Sequence, residues 1–219
     1  MARRKGYGAV RAFVYLLLGL IAGFPARATP VAPVIWAFGD SLTAGYGLPP
    51  ADGFPAQLQA GLRRGGLSAT VRNGGVAGDT TAQGKARLRW GLRGLGTPPD
   101  LVIVEFGGND MLRGLPPEVA EANLDAILTE LGRRRIPTLL VGMRAAPNLG
   151  EAYRARFDSL YARLAARHRV AFYPFFLDGV VGHRDLFQAD GIHANARGVR
   201  IIVSRIAPAV RKALAAPRP

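Results

Sequence analysis

The apolar run Val34 to Phe38 stops at Gly39 and is followed at once by Asp40 and the hydroxyl of Ser41. A serine hydroxyl attacks a carbonyl only when a neighbouring base removes its proton. Three histidines are available as that base. His168 falls in the last turn of a helical pattern, where an imidazolium meets the carbonyl ends favourably. His183 sits in a loop beside Arg184 and Asp185 and reads as a surface residue. His193 differs, because it closes the segment Asp190-Gly191-Ile192-His193. A turn at Gly191 can bring the Asp190 carboxylate back to one ring nitrogen, leaving the other to face Ser41. The same spacing serves equally well as an Asx turn leading into the last helix.

Attack on an acyl group creates an oxyanion, which needs donors already in place. The backbone N–H groups of Ser41 and Gly78 and the side-chain amide of Asn109 are the candidates, and losing one such donor costs about 2.7–4 kcal/mol of transition-state stabilisation. Turns needing positive φ account for Gly74, Gly75 and Gly107, and a helix cap is the plainer reading of Asn109-Asp110.

These residues are far apart in sequence, so the elements around them must bring them together. Val34–Gly39, Ala69–Asn73, Leu101–Val104, Thr138–Val141 and Val170–Tyr173 read as five short buried strands. Helical spacing fills the intervals: Phe54 to Arg64, Thr80 or Thr81 to about Leu92, the stripe Ala120-Leu124-Ile127-Leu128-Leu131, the stripe Tyr153-Phe157-Leu160-Leu164, and a closing helix lined by Val199, Ile202, Val203, Ile206, Val210 and Leu214. Strands alternating with helices predict a parallel sheet covered on both faces. Crossover connections put the strand ends on one edge, where Ser41, Gly78, Asn109 and His193 can converge.

The blocks Gly39-Asp40-Ser41-Leu42, the Gly78 loop, Gly107-Gly108-Asn109-Asp110 and Asp190-Gly191-Ile192-His193 resemble, in order, the four blocks of the SGNH, or GDSL, hydrolase superfamily. The likeness extends to Asn73–Thr80, Val104–Gly114 and Tyr173-Pro174-Phe175-Phe176. It is greatest to the bacterial periplasmic group described as acyl-CoA thioesterase I, protease I, lysophospholipase L1 and arylesterase. The resemblance implies a three-layer α/β/α flavodoxin-like fold with a five-stranded parallel sheet. It also implies a triad of Ser41, His193 and Asp190 and an oxyanion hole of Ser41, Gly78 and Asn109. Ala194 departs from the pattern, since many relatives have proline there. The stretch Asp110-Met111-Leu112-Arg113-Gly114-Leu115 reads as a mobile apolar flap able to receive an acyl chain, and Arg144 to Gly150, with Ala145 and Pro147, as the opposite wall, an ordinary connecting loop being the alternative for each.

The chain of 219 residues opens with Arg3, Arg4, Lys5 and Arg11, an apolar stretch from Ala12 to Phe24, and Ala26-Arg27-Ala28. That order predicts a secretory signal peptide over 1–28, cleaved to leave a single domain over 29–219, and so an exported, periplasmic or secreted protein. The apolar part is roughly 13 residues, against about 20 for a spanning helix. Removing the leader leaves 24 basic against 15 acidic side chains, a net of +9, and only Lys85 and Lys212 remain as lysines. Such a surface suits transient contact with anionic lipid. No aromatic-interleaved basic run suggests nucleic acid. The absence of cysteine excludes disulfides, thiol chemistry and a lipid-modified cysteine.

The expected activity is hydrolysis of a small acyl ester or thioester, or of a lysophospholipid, by a monomer needing neither cofactor nor metal. Competing readings are a carbohydrate acetylesterase on the same fold, a metal-dependent phosphoesterase on Asp40, Asn109, Asp110, Asp190 and His193, a flavodoxin-like binder cradling phosphate or flavin at Gly39–Gly45, and a basic binding protein without catalysis.

Overall fold

A computed structural model of the chain describes residues 32–217. The leader 1–28 therefore lies outside the described residues. Five strands, β1 (Val34–Gly39), β2 (Thr70–Gly75), β3 (Leu101–Glu105), β4 (Thr138–Val141) and β5 (Ala171–Tyr173), form one sheet in the order β2-β1-β3-β4-β5. Every pairing is parallel. β1 and β3 are central and covered on both sides: Ile35, Ala37, Phe38 and Leu101 to Val104 are fully buried. That is why their sequences show no alternation.

Among the described residues seven α-helices accompany the strands: α1 (Ser41–Ala44), α2 (Phe54–Arg64), α3 (Thr81–Gly94), α4 (Gly108–Leu112), α5 (Pro117–Arg133), α6 (Glu151–His168) and α7 (Ala196–Ala215). The chain moves from β1 to β2 in one direction and from β2 through β5 in the other. Right-handed crossovers then place α3, α5 and α6 on one face and α2 on the other. The packing agrees: α2 lies against α7, and α5 lies against both α3 and α6. The expected apolar stripe of α5 is buried throughout, and in α7 Ala213 is buried where Leu214 stays half-buried.

Local chemistry fixes the helix ends near the site. Thr80 accepts from the Gln83 backbone N–H while the Gln83 side chain takes the Thr80 N–H, a capping box that starts α3. One expectation fails here. β2 runs to Gly75, and neither Gly74 nor Gly75 has a positive φ. They are glycine because β2 passes so close that a Cβ on Gly74 would strike the Trp36 indole, and one on Gly75 would strike the Ala44 backbone. His168 lies in the last turn of α6 as expected, and it has a further partner: its Nε2 is 2.8 Å from Asp125 Oδ1 on α5.

In the order β2-β1-β3, successive connections leave β1 towards opposite sides. In open α/β sheets this switch point, beyond the carboxyl ends of the strands, is where ligands bind. β1 leads into Ser41 and β3 into Asn109.

Candidate active site

Asp40 begins the turn after β1. Its carboxylate accepts the Leu42 N–H at 3.0 Å and caps α1, which Gly45 ends in a left-handed conformation. Ser41 is thereby presented at the first position of a short helix. Its Oγ lies 2.9 Å from His193 Nε2, and His193 Nδ1 lies 2.7 Å from Asp190 Oδ2. The second oxygen, Asp190 Oδ1, accepts the backbone N–H groups of Ile192 and His193 at 2.9 and 3.0 Å. Gly191 permits this turn with φ 71°. The Asx turn and the histidine contact, alternatives from spacing alone, are both made by one carboxylate.

The His193 contact, followed by the two backbone donors, holds the Asp190 carboxyl at about 2, well below its usual range. An ionised Asp190 requires the proton on Nδ1, which leaves the Nε2 lone pair to accept from Ser41; the tautomer is assigned from this network. The Tyr46 ring lies 4.6 Å from the imidazole, centroid to centroid, and covers it.

Gly78 and Asn109 border the same space as Ser41 and His193. Gly78 has φ 84°, a conformation glycine adopts without strain. Asn109 Nδ2 donates to the Asp79 carbonyl at 3.0 Å and to Asp40 Oδ2 at 3.2 Å. The Asp79 loop is held by Arg87, a residue no sequence pattern singled out. Its guanidinium pairs with the Asp79 carboxylate, donates to the carbonyls of Gly39 and Gly74 at 2.8 and 2.9 Å, and lies over the Phe38 ring. One side chain so ties the ends of β1 and β2 to the loop that carries Gly78. An arginine on an amphipathic helix gives no sign of this, because its three acceptors come from three separate segments.

The cavity beside Ser41 has a volume of about 780 Å³. Met111, Leu112, Ala145 and Pro147 line it as expected, and the Ala146 N–H donates to Met111 Sδ at 3.2 Å, joining the two walls. Asp110 and Arg113 are not among its lining. Asp110 faces inward, accepting from the Thr81 N–H at 2.8 Å and the Thr81 hydroxyl at 2.6 Å, so it secures the start of α3. Arg113 donates to the Gly78 carbonyl at 2.8 Å and steadies that peptide. The expected flap is helix α4 with its following turn. The wall also carries Arg144, Arg154 and Asp158, and Tyr46, Phe175, Leu177, Val181 and Ile192 add apolar surface to it. They were missed because apolar loop residues look the same in sequence whether they face a core or a cleft.

Asp110→Ala is therefore expected to lower stability by about 1–3 kcal/mol, the cost of stranding buried donors. Thermal melting measures this, alongside KM across ester chain lengths, which should hold steady. A shifted KM with unchanged melting would return Asp110 to the substrate. The carboxylates of the metal reading are already engaged, Asp40 by Leu42 and Asn109, Asp110 by Thr81, and Asp190 by His193. Among the described residues no group of three His, Cys, Asp or Glu side chains is gathered to hold an ion.

Residues 37–201 match the model of the family described as GDSL-like Lipase/Acylhydrolase. The chain is 38% identical over 178 residues to Esterase TesA of Pseudomonas aeruginosa, an alignment covering 81% of this chain and 88% of that protein. It is 36% identical over 164 residues to Thioesterase 1/protease 1/lysophospholipase L1 of Escherichia coli K12, covering 75% and 76% respectively. Among solved structures it is similar to AlinE4, described as an SGNH-hydrolase family esterase, with a TM-score of 0.73 and 50% identity over 86% of this chain and 100% of that one.

Proposed function

The chain belongs to the GDSL-like lipase/acylhydrolase family and is a hydrolase of ester bonds, and from that premise we propose that it works through an acyl-enzyme on Ser41, formed from carboxylic esters and thioesters whose acyl chains enter the apolar cavity. The observation that carries this reading is the unbroken series of short contacts from Asp190 through His193 to Ser41, ending at the mouth of that cavity.

Ser41 Oγ attacks the carbonyl carbon as its proton passes to His193 Nε2, and Asp190 offsets the charge gained by the ring. The oxyanion is met by the N–H groups of Ser41 and Gly78 and by Asn109 Nδ2, which exchanges its longer bond to Asp40 for the new acceptor. Collapse of the tetrahedral intermediate breaks the bond to the leaving oxygen or sulfur, which takes the proton from Nε2. Water then repeats the sequence and frees the acid. A carbohydrate acetylesterase on the same fold is less well supported. A sugar wants polar partners along its length, and although Arg144, Arg154 and Asp158 reach the cavity, most of its lining, with Met111, Leu112, Phe175 and Leu177, is hydrocarbon.

The test is a chain-length series of p-nitrophenyl esters, acyl-CoAs and lysophospholipids. Each buried methylene is worth about 0.8 kcal/mol, so kcat/KM is expected to rise about fourfold per carbon until the cavity is filled. Activity confined to acetyl esters would overturn the acyl-chain assignment. The series is run on protein recovered from an exporting host, whose first residue also tests removal of the leader after Ala28. An uncleaved cytoplasmic product would end the exported reading.

A further inference from the structure

Beneath the nucleophile lies a buried carboxyl that the mechanism above leaves unused. Glu105 ends β3 directly opposite Gly39 in the parallel register and is 1% exposed. Its Oε2 accepts from the Thr43 hydroxyl at 2.7 Å. Its Oε1 is fully enclosed and has no donor among the described residues. The carboxyl of Asp40, also 1% exposed, lies against it. Gly39 leaves the room this needs, since a Cβ there would collide with the Thr43 hydroxyl and with both the backbone and the carboxyl of Glu105.

Two buried carboxylates in contact, both ionised, are an expensive arrangement, and removing one charge relieves it. The surrounding groups point the same way. Asp110 adds negative charge, the Tyr161 hydroxyl is neutral and committed to the Phe106 carbonyl, and Arg87 directs its donors to Gly39, Gly74 and Asp79. Against this, the Leu42 N–H, the Asn109 amide and His193 favour charge on Asp40, and the Thr43 hydroxyl and the Asp40 backbone N–H favour it on Glu105, but the loss of solvation outweighs them at both carboxyls. Burial pushes Glu105 well above the usual carboxylate range, with the charge of Asp40 adding to it, while Asp40 rises to about 6.

We propose that Glu105 is a neutral carboxylic acid that donates its proton to Asp40, and that this acid–carboxylate pair is a positioning device for Ser41 and Asn109. Asp40 uses one oxygen to hold the Leu42 N–H and the other to hold Asn109 Nδ2, so its position sets both the nucleophile turn and the oxyanion donor. Sharing one proton keeps a single negative charge on the pair. That limits the repulsion an oxyanion meets and lets Asn109 leave its 3.2 Å bond. The positioning role rests on the acyl-enzyme reading; the protonation state does not.

Infrared spectroscopy of the unreacted protein at neutral pH is expected to show a protonated-carboxyl C=O band that disappears in Glu105→Gln. Glutamine keeps a donor towards Asp40, so that variant should stay within a few-fold of native kcat. Glu105→Leu removes the donor, and kcat should fall about 10²-fold with KM nearly unchanged, the loss expected when a reacting group is misplaced. Absence of the band would overturn the proton assignment without touching the esterase reading. Native kcat in the leucine variant, or equal losses in both variants, would overturn the positioning role. If the leucine variant fails to fold, the band and the glutamine kinetics decide.

Discussion

Ser41→Ala is expected to lower kcat for p-nitrophenyl ester hydrolysis by about 10⁶-fold, the scale on which triads lose their nucleophile, while leaving melting unchanged. Among the described residues the side-chain partner of the hydroxyl is His193, and Asp40, not Ser41, caps α1, so removing the oxygen leaves the backbone of the turn in place. His193→Ala should cost about as much. Because proton removal and attack are one event, the double variant should be no slower than either single one. Stopped-flow measurement of the acyl-enzyme burst gives a second reading: no burst is expected from any of the three. Substantial turnover by the alanine variant would mean that water, not Ser41, attacks.

Much of this arrangement was legible in the sequence, for a physical reason. Central parallel strands are buried on both faces, so β1 and β3 had to be continuous apolar runs, and their ends had to be marked by the polar residues that follow. Ser41 and Asn109 sit at those marks. The capping signal at Thr80 was equally plain, because a cap is local chemistry. What could not be read was side-chain direction within a short loop. Asn109 faces the cleft and Asp110 faces the core, although they are neighbours. Nothing in their order says which, since the choice is made by Thr81 on a different helix. Arg87 and Glu105 were invisible for the same reason. Each acts through partners from distant segments that meet only after the sheet has formed. Gly74 and Gly75 were read as turn formers when they are contact points, a distinction that depends on Trp36 and Ala44 lying behind them.

Asp190→Asn is expected to reduce kcat by between about 10² and 10⁴, with KM little changed. The larger loss assumes a fully enclosed carboxylate, whereas this side chain is 37% exposed, so solvent can offset part of the missing charge. The cause is a conflict of donors. In the native turn Oδ1 takes two backbone N–H groups and Oδ2 takes Nδ1–H, so both oxygens are acceptors. Asparagine has only one oxygen. Held by the two backbone donors, that oxygen leaves the amide N–H₂ facing Nδ1. The imidazole must then carry its proton on Nε2, where it donates to Ser41 instead of accepting from it. The pH dependence separates this from simple unfolding. A carboxyl depressed to about 2 from 3.8 contributes stability that is complete above 3.8 and is lost only as the pH falls through about 2. In the native enzyme Asp190 therefore stays ionised until the pH falls towards about 2, so its own titration does not contribute to a decline in kcat/KM at milder acidity. From about pH 5 to about pH 8, the range in which histidine switching is usually seen, the variant should remain folded and slow. A loss of less than about tenfold across that range would remove Asp190 from the triad and leave it only the Asx turn.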